Sequence, residues 1–105
     1  MLGKFEELIL LALIRVGPDQ PASAIFEVIT DRLNQEKSFG AVYTTLDRMV
    51  DKKYIKVSSP KVSSGKGKKR RYFTISGEGR AALSQSMNMT NSMADGLSLE
   101  GQMVG

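Results

Sequence analysis

A mainly α fold with one β-hairpin is what this sequence predicts, and three observations predict it. Four segments place apolar residues at 3- and 4-residue spacing, two short segments alternate with period 2, and a Pro/Gly/Ser/Lys stretch without apolar period joins those two. The chain has 105 residues, 41% hydrophobic and 25% charged, which fits a single ordinary globular domain. At this length folding buries roughly 60 to 70% of the unfolded surface, a reason to expect oligomerisation.

The first element spans Leu2 to Val16, with Phe5, Leu8, Ile9, Ala12, Leu13 and Val16 on one face and Leu10, Leu11 and Ile14 carrying the apolar surface round most of the circumference. A helix apolar nearly all round must be covered on both sides, and in so short a chain a partner subunit is the expected second cover. Gly17-Pro18 ends it, because Gly suits positive φ and Pro cannot continue a helix. Pro21 opens a second helix to about Asn34, with Ala24, Ile25, Val28, Ile29 and Leu33 inward and the carboxylates Glu27 and Asp31 outward, a solvated acidic face.

Ser38 is an N-cap for a third helix, Phe39 to Lys53. Phe39, Val42, Leu46, Met49, Val50 and the stem of Lys53 form its inner side. Gly40, Ala41, Thr44, Thr45, Arg48 and Lys52 form the opposite side, small, hydroxylic and basic, with Tyr43 at the boundary. Residues 54–58 and 71–75 alternate as strands, joined by the basic loop 59–70. Ser76 caps a fourth helix, with Ala81, Ala82, Leu83 and Met87 inward, and the composition turns polar and Gly-rich after Met93.

Helix, helix, helix, strand, basic loop, strand, helix is the order of a winged helix-turn-helix. The charge distribution agrees. Residues 1–36 sum to −3, residues 37–80 to +9 and residues 81–105 to −2, so the net +4 hides a strongly cationic middle. Such a segment is the footprint of a polyanion binder, and only a helix with short polar side chains can approach base edges in the major groove.

The absence of Cys and His removes thiol chemistry, disulfides, Cys/His zinc sites and every dyad or triad built on imidazole or thiolate. No enzymatic constellation is left, and no metal or cofactor is expected. The Gly65-Lys66-Gly67-Lys68 stretch is not a phosphate-binding loop, since the GxxxxGK[ST] spacing is missing. The longest apolar run, Leu8 to Ile14, is far short of a membrane span, so a cytoplasmic location is expected.

Three stretches carry a family resemblance: Leu2 to Leu13 (LGKFEELILLAL), Gly40 to Arg48 (GAVYTTLDR) and Arg70 to Leu83 (RRYFTISGEGRAAL). In this order, over about residues 2–85, they resemble the PadR family of bacterial transcriptional regulators. The resemblance implies a dimeric winged-helix repressor on a palindromic operator, with helix 39–53 in the major groove and Tyr43, Thr44 and Thr45 at the DNA surface. The fourth helix ends early, as in the small members of the family, and Ser76-Gly77 stands where many relatives have Thr-Pro. Some relatives bind planar drugs or phenolic acids at the dimer interface, in certain cases on a tryptophan; this chain has no Trp, and an inducer of unknown identity at that interface is left open.

On this reading residues 1–76 form the DNA-binding domain, 77–93 a C-terminal dimerisation helix and 94–105 a flexible tail. Thr44 and Arg48 are candidates for base or phosphate contact, Ser38, Tyr43 and Thr45 for phosphate contact near the helix start, with Gly40 also on the DNA-binding face and Lys52 flanking them. For Tyr43, packing against the wing as half-buried core is the competing reading, and for Arg48 pairing with Asp47 or Asp51. Lys61, Lys66, Lys68, Lys69 and Arg70 track the backbone or enter the minor groove. Leu2, Phe5, Leu10, Ile14, Leu83 and Met87 are assigned to the dimer interface, with Met89 and Met93 as adaptable filling. The alternative function is a winged helix that recognises an acidic protein partner.

Overall fold

In the computed structural model, which describes residues 1–33, 37–59 and 70–99, the chain runs α1 (Lys4–Val16), α2 (Ala22–Leu33), α3 (Phe39–Asp51), β1 (Ile55–Ser58), β2 (Tyr72–Ile75) and α4 (Gly77–Ala94). Its mainly helical architecture with one antiparallel hairpin is the one expected from the order of elements. Helix α1 is the central rod, in contact with α2, α3, β2 and α4. Ile9, Leu10, Ala12 and Leu13 are all buried by these neighbours. The chain itself therefore covers the Leu10 side of α1 while Ile14 and Arg15 stay exposed, which corrects the assignment of Leu10 to a subunit interface: it is 0% exposed and belongs to the core.

The ends of the elements follow local chemistry. Gly17 closes α1 with φ 93, a value that side chains strongly disfavour, and its N–H donates to the Leu13 carbonyl at 3.0 Å. Ser38 accepts the Ala41 N–H at 3.0 Å and caps α3. Helix α3 stops at Asp51, two residues before the expected end, because Lys53 turns to φ 72. Lys53 is exposed there and does not lend its stem to the core. Phe39 also departs from its expected inward place, being 44% exposed at the rim with its ring edge-on to Phe26.

In the hairpin Ile55 faces Ile75 and Val57 faces Phe73, so the inner face is apolar while Lys56 and Thr74 pair on the outer one. Phe73 is fully buried, a burial worth roughly 1.5 to 3 kcal/mol. An isolated antiparallel bridge joins Gln20 to β2, its backbone exchanging hydrogen bonds with Phe73 at 2.8 and 3.2 Å. That bridge ties the α1–α2 connection to the hairpin.

Helix α4 starts at a doubly used cap: Ser76 Oγ accepts the Gly79 N–H at 2.9 Å and donates to the Lys53 carbonyl at 2.7 Å. Only Gly79 and Leu83 of its 18 residues are buried. Leu83, 5% exposed, packs into the core of its own chain and is not an interface residue, a second correction. Leu2, Phe5 and Met87 are half-buried, while Ile14, Met89 and Met93 are exposed. Among the described residues no helix is long and apolar enough to cross a membrane.

Candidate nucleic-acid interface

The outer face of α3 presents Gly40, Ala41, Thr44, Arg48 and Lys52 to solvent, continuous with the exposed cap Ser38. These side chains are short over the first two turns and cationic over the last, which suits close approach to a polyanion. Thr45 is not among them. It is 5% exposed, and its hydroxyl donates to the Ala41 carbonyl of its own helix at 2.8 Å. One position round the helix from Thr44 turns it inward, so its expected phosphate contact is corrected.

Tyr43 is half-buried against the hairpin, its ring edge-on to Phe73 at 6.2 Å and tilted toward Phe39 at 6.1 Å. A terminal nitrogen of Arg71 donates to the Tyr43 hydroxyl at 3.0 Å and to the Asp47 carboxylate at 2.6 Å. The Asp47 carboxylate holds the Arg71 guanidinium above its ordinary pKa; burial opposes this and the Tyr43 hydroxyl adds to it. Arg71 lies over the rings of Tyr43 and Phe73, so it joins the loop end of the hairpin to α3 by charge and by stacking. Sequence reading took Arg71 only as a strand residue. A signal was present: in an alternating strand position 71 shares the side of Phe73 and Ile75, and a cation there requires a partner.

Arg48 pairs with neither Asp47 nor Asp51. Its Nε donates at 3.3 Å to Oε2 of Glu6, and Lys52 Nζ reaches the same oxygen at 3.0 Å. Oε1 of Glu6 accepts the Gly3 N–H at 2.9 Å. Burial raises the Glu6 carboxyl pKa, but the Gly3 N–H and the two cations outweigh it and hold the group below the usual carboxylate value. The next residue, Glu7, faces the other way and accepts a hydrogen bond from Ser86 of α4 at 2.5 Å. The first turn of α1 thus bonds α3 through one acid and α4 through the other. Nothing in the spacing of the sequence announces Glu6 as part of this site.

Arg70 is exposed at the root of the wing. Together with Arg71, Tyr43, Phe39 and Ser23 it borders a cleft of about 280 Å³ between the starts of α2 and α3. Lys61, Lys66, Lys68 and Lys69 lie outside the described residues. Among the described residues no group of three or more acidic side chains forms a metal site.

The transcriptional regulator PadR-like family model matches residues 10–85. No curated protein matches the chain by sequence. Among solved structures, a PadR-like transcriptional regulator from Bacillus cereus is 25% identical with a TM-score of 0.66 over 93% of each chain. A PadR family transcription regulator from Clostridium difficile is 23% identical, with a TM-score of 0.67 over 88% of this chain and 95% of that one. RosR from H. salinarum is 21% identical, with a TM-score of 0.71 over 92% and 81%. With the family model spanning most of its length and the winged helix shared with these regulators, the chain belongs to the PadR-like family of transcriptional regulators, which are DNA-binding proteins and not enzymes.

Proposed function

We propose that this protein is a dimeric repressor of a palindromic operator, with α3 in the major groove and the basic segment 59–70 on the backbone or in the minor groove. The observation that carries this reading is the exposed stripe Ser38, Gly40, Thr44, Arg48 and Lys52 on a helix whose other face is core. Thr44 is the base-reading candidate, near the start of the helix where base edges are approached. Ser38, Gly40 and Tyr43 meet phosphate at that end, Arg48 and Lys52 further along, and Arg70 with Lys61, Lys66, Lys68 and Lys69 extends the positive surface through the wing.

Dimerisation is supported by α4. An isolated helix of this length is marginal in water, and beyond Leu83 it exposes Met89 and Met93 on a helix with little core of its own. Leu2, Phe5, Ile14 and Met87 add half-buried or exposed apolar surface on α1 and α4 for a second copy to cover. A two-fold dimer in turn calls for a two-fold operator.

The experiment is selection of duplexes from a random-sequence pool, followed by salt titration of the enriched duplex beside a random one, with sedimentation reporting the oligomer. An enriched palindrome bound by a dimer far more tightly than the random duplex is the expected result. Equal affinity for both would remove sequence-specific repression and favour the protein-recognition alternative.

A further inference from the structure

Glu6 is the most committed charge in the described structure. It is 6% exposed, it lies on α1 and not on the DNA-facing helix, and yet Arg48 of α3 and Lys52 at the cap of that helix are both bonded to it. A buried carboxylate is costly without partners, and here three donors from two elements converge on its two oxygens. Removing it from solvent therefore fixes the groups that neutralise it.

The manner of the Arg48 contact gives it a direction. A guanidinium carries five N–H donors, and the bond to Glu6 is made by Nε, the one nearest the side-chain stem. The four N–H groups on the two terminal nitrogens have no protein partner among the described residues, and the side chain is 50% exposed. Arg48 is held at its root while its outer fork stays in solvent. It also stands in the third turn of α3, past the first residues that approach base edges in helix-turn-helix docking. A fork at that place, pinned sideways toward α1, suits a phosphate oxygen pair better than the groove floor.

We propose that Glu6 is a positioning residue of the DNA interface, which orients Arg48 so that its two terminal nitrogens clamp one backbone phosphate in each half-site. The inference rests on the DNA-binding reading above and deepens it. It takes Arg48 as a phosphate contact with no part in base choice, and it makes the first turn of α1 part of the interface without touching DNA. Lys52, whose ammonium lies directly on Glu6, supports the same carboxylate from the next turn.

The sign of one substitution separates this role from simple electrostatics. Glu6→Gln keeps the size of the side chain and removes a negative charge beside the DNA face. If Glu6 only repelled DNA, the variant would bind every duplex more tightly. Positioning predicts the reverse, about a tenfold loss on the selected duplex and a similar loss on the random one, because a phosphate contact is made whatever the sequence. The salt slope is expected to fall by about 0.9 for each phosphate that the protein no longer neutralises. Arg48→Ala is expected to show the same loss, the same slope and an unchanged base preference at every position, and adding it to Glu6→Gln is expected to cost little more.

Wild-type discrimination between the two duplexes is measured first. If the wild type does not discriminate, the DNA reading and this inference fall together. If it does, and folded Glu6→Gln binds the selected duplex as well as or better than the wild type, the positioning role alone is overturned. Should Glu6→Gln not fold, Arg48→Lys puts the same question on a half-exposed side chain. An ammonium without Nε cannot hold Glu6 at its root and present a fork, so a similar loss is expected, and full wild-type affinity would overturn the proposal.

Discussion

Arg71 and Asp47 meet at 2.6 Å across the junction of the hairpin and α3, and the same Arg71 nitrogen donates to Tyr43 one turn earlier on that helix. The root of the wing is thereby fixed relative to the helix it flanks. Arg71→Met keeps an apolar stem and deletes the guanidinium with its charge and its place over the two rings, and it is expected to cost about 1 to 2 kcal/mol, since both partners of the ion pair are partly open to water. Denaturant midpoints measure that cost. A double-mutant cycle with Asp47→Asn is expected to give a coupling near 1 kcal/mol, and additive losses would show that the pair does not interact in solution.

Thr44 and Thr45 are neighbours with opposite fates, and substitution is expected to separate them. Thr44 is exposed on the outer stripe, so Thr44→Ala is expected to leave stability within about 0.5 kcal/mol and to weaken or relax operator recognition. Thr45→Ala removes a buried side chain and its bond to Ala41, at an expected cost of about 1 to 2 kcal/mol. Its affinity for DNA, corrected for the folded fraction, is expected to stay at the wild-type level. Thermal melts beside binding isotherms of the two variants decide this.

The same contrast marks how far the sequence could be read. Features set within a few residues were legible: the Ser38 and Ser76 caps, the end of α1 at Gly17, the alternation of the strands and the stripe on α3 all depend on local spacing. Thr45 fell on the boundary of that stripe, where a helical wheel cannot distinguish covered from open. Leu10 was misplaced because an all-round apolar helix signals burial without saying which chain supplies it. Glu6 with Arg48, and Arg71 with Asp47, join residues 42 and 24 positions apart, and such pairs are set by how α1 and the hairpin dock on α3. Charge composition reported a cationic middle but not that two of its cations are held by an acid from the anionic first third.

Two glycines at the start of α4 form a matched pair. A Cβ at Gly79 would fall far inside contact distance of the Tyr54 carbonyl oxygen, whereas nothing lies within 4 Å of one at Gly77. Gly79→Ala must push α4 away from the β1 approach, and it is expected to lose about 1 to 3 kcal/mol despite the better helix propensity of alanine. Gly77→Ala is expected to be neutral or to gain up to about 1 kcal/mol. Thermal unfolding of both variants tests the close approach, and equal behaviour would contradict it.

The pH dependence of stability follows from Glu6. Its folded-state pKa lies below the unfolded value of about 4.3, so the stabilisation is fully present above that value and is lost as pH falls through the depressed one. Urea midpoints taken from about pH 6 to about pH 3 are expected to fall more steeply for the wild type than for Glu6→Gln. Parallel curves would mean that the Arg48 and Lys52 contacts do not hold the carboxyl in its charged form.

Helix α4 ties stability to assembly. Its root is anchored by Ser76, Gly79 and Leu83 inside the chain, while Met89 and Met93 further along are exposed. Leu83→Ala is expected to destabilise the monomer fold by about 2 to 4 kcal/mol through the cavity it leaves. Replacing Met89 and Met93 together by Glu leaves that root intact and sets charge on the apolar surface that a second copy would cover. The double variant is expected to sediment as a monomer with reduced helical circular dichroism, because the outer turns of α4 are too short to persist alone. Its affinity for a two-fold operator is expected to drop by orders of magnitude while half-site binding survives, since the two α3 helices no longer act as one ligand. An unchanged dimer would place the subunit contact elsewhere, as on the exposed Ile14 side of α1.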